Sequence, residues 1–174
     1  KIRMVTDISD QLKDAYVRIS KDLEAAAHMQ KNLLPPVSSN MRGMKFEWLF
    51  HPSNFVGGDI FNYFHIDETH VGFYLCDVSG HGVPAAMLSV TINKVLVPST
   101  SKMSHLYSPI ADPPGYEISP PASVLKELNH LFSSTTQSDQ YFTLIYGIVH
   151  ITRGTIVLAQ AGLPEPILLK KDGN

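Results

Sequence analysis

Cysteine is nearly absent: Cys76 is the single one in 174 residues. One thiol excludes an intrachain disulfide framework. Its place inside an apolar stretch predicts a buried, reduced side chain and a cytoplasmic protein. An excess of charge of either sign is also lacking. Net charge is −2 and charged residues make up 17%, so there is no basic field to attract nucleic acid or an anionic membrane surface. No apolar run approaches the length of a spanning helix, and no signal-peptide pattern opens the chain. The chain starts at Lys1 without an initiator methionine, and the expectation is a piece of a longer protein. What is present is 44% hydrophobic residues, enough for one soluble domain with a sizeable core plus an appendage.

The most informative stretch is residues 56–87. Two apolar, aromatic-rich runs (60–66 and 71–76) flank the polar triplet Asp67-Glu68-Thr69, the pattern of a β-hairpin with a short loop. If that triplet is the loop, Ile66 pairs with His70. Phe61 then faces Leu75, Tyr63 faces Phe73, and Asp59 faces Asp77. Carboxylates directly opposite on a ladder repel each other, so this pair needs a cation or a proton between its members. A slip of one residue would send the two acids to opposite faces. Gly57-Gly58 precedes the first acid, and Gly80 and Gly82 follow the second. Glycine there lets backbone approach a ligand, so that a carbonyl can join the carboxylates as a hard oxygen donor. Pro84 suits the first turn of a helix starting just beyond.

Before the hairpin, the first 34 residues read as one helix ended by Pro35-Pro36. Ile8, Leu12, Ala15, Ile19, Leu23 and Ala26 recur at three- and four-residue steps. That narrow seam suits a two-helix coiled coil and hence a homodimer; the competing reading folds the helix back on its own domain. The division expected is a linker helix over residues 1–23 and a domain over 24–174, with an upstream sensor or receiver signalling through the helix. Residues 45–50 have period two and read as a strand, with Trp48 in the core and His51 in a surface loop. The helix expected over 84–97 is apolar nearly all round, which predicts burial. Residues 98–121, with many prolines and no sustained period, read as a loop or insertion. A helix from Pro120-Pro121 through Phe132 follows, then strands over 141–150, 155–160 and 166–170, with Arg153-Gly154 as a turn. Segregated helices and strands argue an α+β layered fold.

The runs GGDIFNYF and CDVSGHGVPAAML resemble the PPM-type (protein phosphatase 2C-like) Ser/Thr phosphatases of the SpoIIE subfamily, bacterial sigma-factor regulators among them. AAAHMQKNLLPP is similar to that subfamily's entry helix, and YFTLIYGIV and AGLPEPILL to its later strands. The resemblance implies an α-β-β-α sandwich, here C-terminally incomplete, with metals at one end between the two sheets. It implies two Mn²⁺ or Mg²⁺ ions that activate a bridging water for hydrolysis of phosphoserine or phosphothreonine on a protein partner such as an anti-sigma factor antagonist. In that reading Asp59 ligates one metal and Asp77 bridges both. A backbone carbonyl at Ser79 or Gly80 assists, and Gly58, His81 and Gly82 shape the site.

Two positions depart from the family pattern: Asn62 stands where an acid is usual, and Leu163 where a histidine is usual. Further aspartates expected downstream are missing, since only Glu165 and Asp172 are acidic after Asp139, and Asp172 reads as a turn residue at a hairpin tip. Two alternatives follow. One is a non-catalytic phosphatase-fold scaffold, which would bind a phosphorylated partner without turnover. The other is a diguanylate cyclase, whose GGDEF loop GGDIF resembles; GTP binding would mark it.

Overall fold

The chain enters the fold through helix α1 (Ile2–Lys31), which is followed by a ribbon of β1 (Ser39–Met41) and β2 (Met44–Phe46). The hairpin β3 (Ile60–His65) and β4 (His70–Val78) leads into helix α2 (Val83–Leu96). A second ribbon, β5 (Tyr107–Pro109) and β6 (Tyr116–Ile118), precedes helix α3 (Pro121–Thr135) and the strands β7 (Phe142–His150) and β8 (Thr155–Ala161). This computed structural model describes residues 2–37, 39–41, 43–52, 54–98, 105–113, 115–135 and 140–170. The expected turn at Asp172 lies outside the described residues.

Strands β3-β4-β7-β8 form one antiparallel sheet in that order. Alternation divides its side chains cleanly. One face carries Ile60, Tyr74, Cys76, Leu144 and Tyr146, all buried under α2 and α3, whose Ile92, Leu96, Val124 and Leu128 complete the core. Each fully buried aliphatic side chain there contributes about 1.5–3 kcal/mol relative to exposure. The opposite face carries Phe61, Tyr63, Phe73 and Leu75. It is covered in part by the chain entering from β2: Phe46 stacks on Tyr63, while Trp48 and Phe50 meet Phe61. This is the helix-on-sheet half of the layered α+β arrangement. Among the described residues no second four-stranded sheet closes the other face.

Several expectations need correction. The strand read over 45–50 shrinks to β2, because Trp48 turns aside to donate its indole N–H to the Pro36 carbonyl at 3.2 Å. Residues 166–170 form no ladder among the described residues, and Leu169 is 88% exposed. The segment 98–121 is not merely a loop. Leu106 is fully buried, Tyr107 and Tyr116 pack edge to face, and the Tyr107 hydroxyl donates to the Ile66 carbonyl at 2.9 Å. Two strands of three residues are too short to show a period. The helix α1 does not fold back over its length. Residues 3–19 are exposed, with Leu12 at 71%, and only the last turns meet the domain.

The hairpin closes as read: the Ile66 N–H donates to the His70 carbonyl at 2.9 Å. In the loop, the Asp67 carboxylate accepts from the Thr69 and His70 amides at 2.6 and 2.7 Å and from the His70 ring at 2.9 Å. Partial burial pushes its pKa up. The hydrogen bonds from Thr69 and His70 outweigh that, and the net direction is below the ordinary carboxylate value. A depressed folded-state pKa adds stability above the unfolded value, about pH 4, and that stability is lost as pH falls through the folded value. Thermal melts from about pH 5 to pH 2 should therefore show a steeper acid loss for the wild type than for Asp67→Asn. Parallel curves would remove the loop from the acid response.

Candidate active site

The β3–β4 register pairs Ile60 with Cys76. One step further along the same ladder, Asp59 meets Asp77 on the face away from α2 and α3. Their carboxylates touch: the Asp59 pKa is raised by burial first, then by the Asp77 charge and a hydrogen bond between the two side chains. No ion pair from a described Lys, Arg or His reaches either acid. Two oxygens thus converge at an exposed end of the sheet with no protein cation to balance them.

Backbone on both sides holds this pair together. A Cβ on Gly58 would run into the Val78 carbonyl and lie 3.1 Å from the Val78 Cβ, so only glycine lets the loop before β3 lie this close to the end of β4. Beyond Val78, the Ser79 N–H donates to the Tyr141 carbonyl at 2.8 Å, and the Ser79 hydroxyl accepts from the Tyr141 N–H at 2.9 Å. Both bonds tie the turn after β4 to the residue just before β7. Gly80 and Gly82 both take positive φ, 93° and 75°, turning the chain sharply into α2, with exposed His81 between them. Gly82 caps α2 through its carbonyl, which accepts from the Ala86 N–H at 3.1 Å.

Three residues at this end carry no signal in a linear reading. Gln30, 4% exposed at the end of α1, donates to the Gly57 carbonyl at 2.7 Å and to the Ser89 hydroxyl at 3.1 Å. It also accepts from the Gly57 N–H at 3.2 Å. One amide thus joins α1, the loop before Asp59, and α2. Thr143 lies across from Asp77 on β7, and Gly162 lies beyond Ala161 against Thr143. Of the two departures, Asn62 faces the helices, opposite Tyr74, because it is three residues from Asp59 and strand alternation sends it to the other side. Leu163 stands at the acid end, where its carbonyl accepts from the Gln160 side chain at 2.7 Å.

The donor set suits a hard divalent cation: two carboxylates in contact, with carbonyls in a glycine turn beside them. Among the described residues no group of three or more His, Cys, Asp or Glu is placed to hold a metal. They therefore supply only part of a coordination shell.

The profile of Stage II sporulation protein E (SpoIIE) matches residues 67–174. The chain belongs to the SpoIIE family. The matched span includes Asp77 and the turn 78–82, while Gly58 and Asp59 precede it. Phosphoserine phosphatase RsbP of Bacillus subtilis is 28% identical over 87% of this chain and 34% of its own length. Phosphoserine phosphatase RsbU of the same organism is 21% identical over 87% of this chain and 40% of its own. Protein IcfG of Synechocystis is 23% identical over 99% of this chain and 29% of its own. The chain thus spans about a third of the length of these relatives. The SiaA-PP2C domain of Pseudomonas aeruginosa superimposes with a TM-score of 0.61 at 19% identity, covering 84% of this chain and 55% of that one. The fold is accordingly the PPM-type α+β fold. None of the described helices is long and apolar enough to cross a membrane.

Proposed function

We propose that this chain is catalytic machinery of a metal-dependent protein-serine/threonine phosphatase. The observation that carries the reading is the Asp59–Asp77 carboxylate pair, in contact at the exposed end of the sheet and framed by close-packed glycine segments. Asp59 and Asp77 would hold Mn²⁺ or Mg²⁺, with the Ser79 and Gly80 carbonyls as further donors and Gly58, His81 and Gly82 shaping the approach. When bound, such ions activate water and neutralise the phosphoryl oxygens of an in-line displacement. The chain itself positions the two acids through the β3–β4 ladder and keeps the turn in register through Ser79 and Tyr141. Its open acid face gives a phosphorylated side chain access.

The names of the phosphoserine phosphatase relatives support a phosphoserine- or phosphothreonine-bearing protein as substrate, and an anti-sigma factor antagonist is the partner proposed. Cytoplasm is the compartment proposed, from the single thiol. A linker over residues 1–23 joining an upstream sensor or receiver to the domain over 24–174 accounts for the exposed first half of α1. Ile8, Leu12 and Ile19 lie exposed along it, and we propose that a second copy covers that seam. Sedimentation should then give a dimer that Leu12→Asp converts to monomer; a wild-type monomer at high concentration would remove the dimer.

The test of the function is Mn²⁺-dependent release of phosphate from an aryl phosphate and from a phosphoserine peptide. Turnover that chelation abolishes and Mn²⁺ restores is the expected result. The second reading, a phosphatase-fold scaffold, is favoured by the incomplete shell of described ligands. It would show as capture of a phosphorylated partner without turnover or Mn²⁺ binding. SpoIIE family membership favours both over the diguanylate cyclase alternative.

A further inference from the structure

Asp59, Asp77, Thr143 and Gly162 form one row across the four strands, each on the face that carries the acids. The β4–β7 ladder sets Thr143 directly opposite Asp77. The Leu144–Ala161 pair, extended by one residue, brings Gly162 beside Thr143. The Thr143 hydroxyl reaches the Asp77 carbonyl at 3.4 Å. Gly162 combines a φ of 82° with the absence of a side chain, and a Cβ there would lie 2.6 Å from the Thr143 Cγ2. Gly162 therefore leaves the space in which Thr143 holds its rotamer, and Thr143 in turn contacts the backbone of the residue that carries the second acid.

We propose that Thr143 is a positioning residue for Asp77, set in place by Gly162. Asp77 is the penultimate residue of β4, and the positive-φ glycine turn begins three residues later at Gly80. Beyond Asp77 the ladder runs on only through Val78 and the Ser79–Tyr141 bonds before the turn begins. The Thr143 hydroxyl bears on the Asp77 backbone carbonyl from the side of β7, fixing the peptide from which the carboxylate projects toward Asp59. The side chain is also compatible with its place, since a β-branched residue fits a pleated strand whether or not its hydroxyl is used. The functional weight of the inference rests on the proposed metal-dependent activity. Its structural content does not.

Two measurements separate these. In the metal-free chain, hydrogen exchange of the Ser79 amide reports how firmly the turn is held. Thr143→Val, which keeps the shape and removes the hydroxyl, should speed that exchange about fivefold, the equivalent of one ordinary hydrogen bond, while Thr143→Ser should restore it. In Mn²⁺ titration calorimetry, Thr143→Val should weaken binding roughly 10- to 100-fold, the range seen when a partner of a metal ligand is lost. Thr143→Ser should stay near wild type, and Gly162→Ala should shift affinity the same way as Thr143→Val. A lowered melting temperature with unchanged exchange and unchanged Mn²⁺ affinity would make Thr143 merely structural and overturn the inference. A wild-type chain without Mn²⁺ affinity would overturn the metal reading instead, and the exchange comparison would then decide the role of Thr143.

Discussion

Asp77→Asn is expected to abolish Mn²⁺-dependent phosphate release, with a fall of at least about 100-fold, the upper end of what loss of even an indirect metal partner costs. The same substitution should leave the metal-free fold intact or slightly more stable. In the absence of a cation the two carboxylates oppose each other across a ladder, a destabilising arrangement worth about 0.2–1 kcal/mol. Solvent screening at this exposed end keeps the figure near the lower limit. Removing the Asp77 charge also removes one of the causes that raise the Asp59 pKa, although burial, the larger cause, remains. Activity and stability therefore move in opposite directions, which ordinary destabilisation cannot imitate. The check is phosphate release alongside urea denaturation with and without Mn²⁺. Wild-type stability should rise with Mn²⁺, since a ligand that binds only the folded state stabilises it, and Asp77→Asn should show no such rise. Retained turnover in Asp77→Asn would sink the assignment of the metal to this pair.

Gln30→Leu is expected to be the most damaging change outside the acids. The two side chains are close in size, so the packing of a residue that is 4% exposed is largely kept. Three hydrogen bonds are lost, and the Gly57 amide and carbonyl lose the partner that α1 supplies. Each buried polar group left unsatisfied costs about 1–3 kcal/mol. Ser89 suffers less, because its hydroxyl still donates to the Ala86 carbonyl at 2.9 Å. Gly57 is two residues from Asp59, so the loop that presents the first acid loosens and Mn²⁺ affinity falls with stability. Urea unfolding and Mn²⁺ titration of the same variant provide the check. Lost stability with unaltered affinity would confine Gln30 to holding α1 on the domain. Unaltered stability would mean that the three bonds carry no net weight.

Much of this architecture is determined by the sequence alone. The hairpin register follows from a polar triplet between two apolar, aromatic-rich runs, and strand alternation then places Asp59 and Asp77 on one face. The glycines around both acids, the proline opening α2, and the paired prolines after α1 are local steric instructions that need no tertiary partner. Where local pattern ran short, so did the reading. The β5–β6 ribbon has three residues per strand, and its order comes from the burial of Leu106 and the reach of Tyr107 to Ile66. Residues 45–50 alternate like a strand, yet Trp48 finds a better place for its indole against Pro36. Only the tertiary structure decided that Gln30 joins α1 to both sides of the site, and that Thr143 and Gly162 stand in the same row as Asp77. The physical reason is one of distance along the chain. Turns, caps and alternation act over a few residues, whereas the Gln30–Gly57, Ser79–Tyr141 and Asp77–Thr143 contacts join segments 27, 62 and 66 residues apart, and such pairings exist only once the sheet and helices have packed.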